Sequence, residues 1–302
     1  MIGKPNPVLN SLGLDDSDRV VVMHADDIAM CQATITAFAK AIDFGLVTSG
    51  SIMVPCPWFL EMAAWCRANP DADVGVHATV TSEWKTYRWG PITTCDPASG
   101  LIDEEGYFPH RRTGVDAPAD LDAVELEVRT QIDRAVEAGI NLTHVDQHMF
   151  ALGYPTLLPA YLKPVLERGL PPILFRNEDI YRRWTGVQGA ADEAVRRVTE
   201  LVEMGAPAFD SVYELPRLEP EGQVEITKQV IDALEPGLHL LLMHPVDDTP
   251  EVRAIMPTSW KARVANLETM LSEDLAAHIR NRGVHLIGYR PLHELMQQVT
   301  IA

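Results

Sequence analysis

Four short clusters concentrate residue types suited to holding a cation and moving protons. They are His24-Ala25-Asp26-Asp27, Gly75-Val76-His77, Thr143-His144-Val145-Asp146-Gln147-His148 and Met243-His244-Pro245. Each closes or follows a short apolar run. Two adjacent carboxylates leaving a buried strand are costly unless a cation compensates them. Neighbouring residues at a strand end point in different directions, so one of Asp26 and Asp27 can bind a metal while the other faces substrate. The plainer alternative is that one of them caps the following helix. A lone strand-end histidine is usually a satisfied structural residue. Histidines ending three separate strands, with Asp-Asp ending a fourth, instead form a divalent-metal set of imidazole and carboxylate. Three protein ligands would leave positions for water and substrate, the catalytic arrangement.

In His144-x-Asp146-x-His148 the period of two puts all three side chains on one face if the strand continues. If it ends first, His148 sits on the loop above and His144 lies deeper as a structural partner. Asp146 is then placed to orient a histidine from behind. Arg176 closes a further apolar run, where it could hold an aspartate ionised or form an ordinary surface ion pair. Glu214 is a weaker candidate of the same kind. A polar loop carries Trp84, Tyr87 and Trp89 within six residues. Such rings stack on the apolar faces of sugars and hydrogen-bond at their edges, or anchor the loop. His110, His239, His278, His285 and His293 show no comparable pattern and are expected to be structural.

The elements needed to position these residues are legible as alternating apolar runs. Strands are expected at Val20–Met23, Ser51–Val54, Val74–Ala78, Leu142–Asp146, Pro172–Arg176, Phe209–Tyr213, Leu238–Met243 and Val284–Gly288. Helical spacing covers Ile28–Phe44, Trp58–Ala68, Leu121–Ala138, Pro155–Arg168, Ala190–Glu203, Glu221–Leu234 and Ser259–Asn281, with Pro159 and Pro164 weakening the fourth. Strand–helix alternation implies a parallel sheet. About eight units in 302 residues fit one α/β domain over residues 1–302, a TIM-like (β/α) barrel, closed or distorted. A doubly wound open sheet is the alternative, but the first strand–helix turn lacks G-x-G-x-x-G. In a barrel, catalytic residues belong at the C-terminal strand ends, where all four clusters fall. A long aperiodic loop, Thr79–Asp120, follows the third strand, and loops of that length are usually functional.

Composition narrows the partners. The chain is 46% hydrophobic and carries 43 acidic against 25 basic residues, a formal charge of −18. So acidic a surface repels phosphate backbones and anionic lipid, so no nucleic-acid or membrane role is expected. Cys31, Cys56, Cys66 and Cys95 form no C-x-x-C pair and match no zinc-finger spacing. They are expected to be buried or half-buried thiols in a reducing compartment. The polar N-terminal segment has no signal-peptide core, and the longest apolar run cannot span a bilayer. A cytoplasmic protein is expected, with homo-oligomerisation left open.

The ordered set of motifs resembles the YdjC/ChbG carbohydrate deacetylases, and the resemblance spans most of the chain. Each motif is short, and the ordered set is far more specific than any member of it. It implies a (β/α) barrel that removes acetyl groups from N-acetylated amino sugars or oligosaccharides with one divalent metal ion. By resemblance Asp27, His77 and His148 are the ligands, Asp26 is the general base and His244 the general acid. Asp146 is expected to keep His244 charged and aligned. Two imidazoles favour zinc, with magnesium, manganese and cobalt also open. The chain departs from the family where His24 replaces the usual asparagine and where Met149-Phe150 follow the third motif in place of further histidines. Both positions are expected to line the substrate pocket. Two rival readings share the fold. One is a metal-dependent phosphoesterase or amidohydrolase acting on a non-sugar substrate, and the other is an inactive sugar-binding barrel.

Overall fold

The computed structural model describes residues 5–111, 119–185, 188–216 and 220–299. In chain order the elements are α1 (Pro7–Ser11), β1 (Arg19–Ile28), α2 (Gln32–Phe44), β2 (Ser49–Ile52), α3 (Phe59–Ala68), β3 (Val74–Ala78), α4 (Leu121–Glu137), β4 (Leu142–Gln147) and α5 (Leu158–Leu166). They continue with α6 (Glu178–Thr185), α7 (Gln188–Glu203), β5 (Ser211–Glu214), α8 (Pro220–Asp232), β6 (Gly237–Met243), α9 (Pro250–Ile255), α10 (Trp260–Met270), α11 (Glu273–Asn281), β7 (His285–Ile287) and α12 (Arg290–Met296). No helix among the described residues is long and apolar enough to cross a membrane.

All strand pairs are parallel, in the order β4-β3-β2-β1-β6-β5. Every residue of β3, β4 and β6 is buried, as expected for strands covered on both faces by helices. The ring is completed by the segment 172–175. Pro172 bridges Val145 of β4, and Phe175 bridges Phe209, two residues before β5. The architecture is therefore a (β/α) barrel, and a distorted one.

Two expected strands depart from the regular pattern. Pro172–Arg176 makes only isolated bridges, because its partners on either side are single residues rather than a ladder. The last strand, β7, does not lie between β6 and β1. Seven consecutive residues of β6 already occupy one edge of β1, from Arg19↔Gly237 to Ala25↔Met243. β7 takes the lower part of the other edge, at Val20–Val22, below β2, which pairs with His24 to Ile28.

The boundaries also shift where polar residues sit inside elements. β1 runs on through Asp26-Asp27 to Ile28, and α2 starts only at Gln32 with Cys31 as its cap. Neither aspartate caps that helix. The expected helix Ser259–Asn281 is two helices, because the Ser272 side chain accepts from the Leu275 N–H and starts α11. Pro159 lies in the first turn of α5 and Pro164 is carried inside it. Cys31, Cys56 and Cys66 are buried as free thiols, whereas Cys95 is exposed.

Candidate active site

The C-terminal strand ends bring Asp27, His77 and His148 together. Asp27 Oδ1 lies 3.0 Å from His148 Nδ1 and 3.5 Å from His77 Nε2. All three residues are buried. Asp27 holds a left-handed backbone, φ 61°, within the irregularity that interrupts the β1–β2 pairing between Ala25 and Ile28. Such a conformation is costly for a non-glycine residue and is kept where surrounding structure enforces it. β4 ends at Gln147, and His148 opens a 3-10 turn above it.

Proton accounting shows what this cluster needs. His148 directs Nε2 at the Glu83 carboxylate, 2.9 Å away, and His77 directs Nδ1 at Asp146 Oδ1, 2.7 Å away. A neutral ring that donates at one nitrogen presents a lone pair at the other. With both rings neutral, both lone pairs would face Asp27 Oδ1, a buried atom with no hydrogen-bond donor among the described residues. Three acceptors converging on one point could hold a cation, and two imidazoles with one carboxylate suit a divalent metal. The charges agree. Asp26, Asp27, Asp146 and Glu83 face the Arg263 guanidinium and the buried His24 ring. With His24 protonated, as its raised pKa of about 9 favours, the carboxylates still outnumber the cations beside them.

Without that ion, protons fill the role. Burial would lower the His148 pKa, but Glu83 and Asp27 overcome it and raise it to about 9. Burial likewise opposes charge on His77, and Asp146 and Asp26 nevertheless hold it well above its ordinary value. Burial would raise Asp27, whereas Arg263, whose Nη1 is 2.7 Å from Asp27 Oδ2, holds it well below the carboxylate range.

Beneath the ligands lies a hydrogen-bonded floor. Asp146 Oδ2 accepts from Ser51 Oγ at 2.9 Å and meets His24 Nε2 at 2.9 Å, while His24 Nδ1 meets Ser49 Oγ at 2.8 Å. Burial disfavours charge on His24, but its bond to Asp146 outweighs this and its pKa rises to about 9. His144 lies deeper, stacked on Tyr289 with centroids 3.8 Å apart. The sets His24–His144–Asp146 and Asp26–His77–Asp146 also cluster. The His24 and His77 nitrogens that face Asp146 are already committed to hydrogen bonds, whereas His144 Nε2 is buried without a partner.

Asp26 and His244 stand beside the triad. Asp26 Oδ2 is 3.8 Å from His244 Nε2, and Glu214 Oε1 is 3.9 Å from His244 Nδ1. The His244 backbone N–H is fixed by Asn266 Oδ1 at 2.9 Å. Burial, and then the Arg263 charge, lower the His244 pKa below its ordinary value. Asp26, Asp27, His77, His148, His244, Glu83 and Trp84 all line one cavity of about 700 Å³.

Several expectations are corrected. Arg176 is not at this site. Its backbone pairs with Phe209, and its guanidinium bonds Asp210, which accepts from the Leu238 N–H at the opposite end of β6 from His244. Asp146 does not reach His244; its partners are His24, His77 and Ser51, and the carboxylates beside His244 are Asp26 and Glu214. Nor does His24 line the cavity: it is fully buried in the floor. Of the loop aromatics, Trp84 lines the cavity. Trp89 donates to the Thr81 carbonyl and Tyr87 to that of Met30, so both anchor the loop. His110, expected to be structural, lines the cavity rim. Glu83, Arg263 and Ser51 were missed. Glu83 and Arg263 lie far along the chain from their partners, in a loop and a helix. A strand reading Ser49-Gly50-Ser51 is a signal that could have revealed polar inward residues.

The profile of the YdjC-like protein family matches residues 20–281, a span containing every residue of the cluster. A carbohydrate deacetylase of Thermus thermophilus is 31% identical over 259 residues, covering 86% of this chain and 88% of that one. A carbohydrate deacetylase of Thermoanaerobacter pseudethanolicus is 25% identical, covering 90% and 98%. Among solved structures, an Enterococcus faecalis protein described as acting in cellobiose-phosphate cleavage superposes with a TM-score of 0.71 at 22% identity, over 91% of this chain and 99% of its own. The ordered motifs, the barrel that carries them and the extent of these matches lead to one assignment: the chain belongs to the YdjC-like protein family.

Proposed function

We propose that this chain is a metal-dependent hydrolase that removes the acetyl group from an N-acetylated amino sugar or oligosaccharide. The observation that carries the reading is the buried, unpartnered Asp27 Oδ1 facing His77 Nε2 and His148 Nδ1, beside the Asp26–His244 pair. The similarity to the two carbohydrate deacetylases supports the substrate class. Asp27, His77 and His148 would hold the metal, with zinc the first choice for two imidazoles and manganese, cobalt and magnesium tested beside it. When bound, a divalent ion polarises the amide carbonyl and makes water more acidic.

The remaining chemistry belongs to side chains. Asp26 accepts a proton from the attacking water, whose oxygen bonds to the carbonyl carbon. The C–N bond then breaks, giving acetate, and the nitrogen leaves as a free amine once it gains a proton. His244 is the group placed to supply it. Because its pKa is lowered, the ring enters the cycle largely neutral and gains that proton during turnover. Asp26 Oδ2, 3.8 Å away, is the nearest source. Trp84, with the Arg263 guanidinium over its ring, forms part of the cavity wall, and the volume of about 700 Å³ admits a drug-sized or oligosaccharide ligand.

The test is acetate release from a panel of N-acetylated sugars and oligosaccharides, using metal-stripped protein with and without added divalent ions. Metal-dependent release is expected. No release from protein shown to hold a metal, with hydrolysis of a phosphate ester or non-sugar amide instead, would transfer the site to that chemistry.

A further inference from the structure

The loop after β3 contributes more than a cavity wall. Glu83 Oε2 lies 2.9 Å from His148 Nε2, across 65 residues of chain, and the His148 side chain is only 4% exposed. Among the described residues no other group accepts from that nitrogen. The loop is held by bonds that do not involve the metal cluster: Tyr87 Oη to the Met30 carbonyl, Trp89 Nε1 to the Thr81 carbonyl and the Trp89 N–H to Ser82 Oγ. His148 itself sits on a 3-10 turn followed by two residues, Met149 and Phe150, in left-handed backbone. A ring on so short a turn has little of its own backbone to fix its rotation. The other histidine, His77, is fixed instead by strand-borne Asp146 and Ser51.

We propose that Glu83 is the positioning residue of the metal centre: by accepting the His148 Nε2 hydrogen it selects the tautomer with a free Nδ1 and aims that atom at Asp27. This rests on the reading of Asp27, His77 and His148 as ligands. It makes the loop part of the metal site, so that ligand geometry and cavity wall are set by one segment. Carboxylate partners of metal-bound histidines act this way in general, and losing one weakens metal binding about 10- to 100-fold.

The experiment measures zinc affinity by chelator competition, and the visible spectrum of the cobalt-loaded protein, for wild type, Glu83→Ala, Glu83→Gln and Tyr87→Phe. Melting of the metal-free proteins reports their folding. Glu83→Ala is expected to bind zinc about 10- to 100-fold more weakly and to alter the cobalt spectrum. Glu83→Gln keeps an accepting oxygen and should recover most of the loss. Tyr87→Phe weakens only the loop's remote anchor and should stay within about threefold of wild type. Glu83→Ala within that same margin, Glu83→Gln no better than Glu83→Ala, or an equal loss in Tyr87→Phe would each overturn the proposal. The last outcome would assign the effect to loop packing. Wild-type protein that takes up no divalent ion would overturn it together with the functional reading. Zinc binding that depends on Glu83 without acetate release would sink only the latter.

Discussion

At the scale of single residues, the two neighbours Asp26 and Asp27 have separate jobs because their surroundings differ. Asp27 is locked by Arg263 and faces two imidazole lone pairs, while Asp26 faces His244 and the cavity. Asp26→Asn is therefore expected to bind zinc as wild type does and to lose roughly a hundredfold or more in turnover. Zinc titration and acetate release on the same preparation check this, and full activity in that variant would remove Asp26 from the base role. The candidate ligands were legible because each ends or follows an apolar run, where a titratable side chain stands out. Glu83 and Arg263 were not. Their partners lie 65 and 236 residues away, and nothing local separates a helix arginine that locks a carboxylate from one that is solvated. Arg176 shows the converse failure. It follows an apolar run, but the segment's register places it at the other end of the barrel.

At the scale of elements, the site depends on how closely β3 and β4 approach. Gly75 has no side chain, and a Cβ there would fall 2.5 Å from the His144 carbonyl oxygen. A backbone atom cannot swing aside as a side chain can, so the two strands would have to part. They carry His77, Asp146 and, just beyond, His148. Gly75→Ala is expected to cost about 1–3 kcal/mol, the usual range for overpacking, and to weaken zinc binding as well. Calorimetry and zinc titration test both effects, and an unchanged melting temperature would mean that the strands are not in rigid contact there. Strand positions were readable from hydrophobic runs, but strand order was not. No local feature of Val284–Gly288 says that it pairs below β2 rather than beside β6, because that follows from which edge of β1 is already filled. The extension of β1 through Asp26 and Asp27 escaped for a related reason. Charged residues end a hydrophobic pattern even when the backbone continues.

At the scale of the whole molecule, the metal-free barrel carries buried negative charge that Arg263 balances only in part and protonated histidines share, and this ties its stability to pH. His24 and His148 have pKa values raised to about 9, and His77 is also raised well above its ordinary value of 6.5. A group whose folded pKa exceeds its unfolded value stabilises fully below the unfolded value and loses that contribution as pH climbs through the folded one. Asp27 and Asp146 are shifted the other way, so their contribution is present above about 4 and lost as pH falls. His144, His239, His244 and His293 have lowered pKa values and lose their contribution as pH falls below about 6.5, so the metal-free protein should be most stable near pH 6.5 and should melt progressively lower from about 6.5 to 9. A divalent ion on Asp27, His77 and His148 requires neutral rings, so binding releases their protons and replaces their charge. Zinc-loaded protein should then lose most of the decline across the same interval. Thermal melts of chelator-treated and zinc-loaded protein at half-unit steps from pH 6 to 9.5 would show the two curves diverging. A metal-free melting temperature that stays level or rises over that range would mean that the site's carboxylates are not balanced by these histidines. A cation shared by Asp27, His77 and His148 would then lose its electrostatic support.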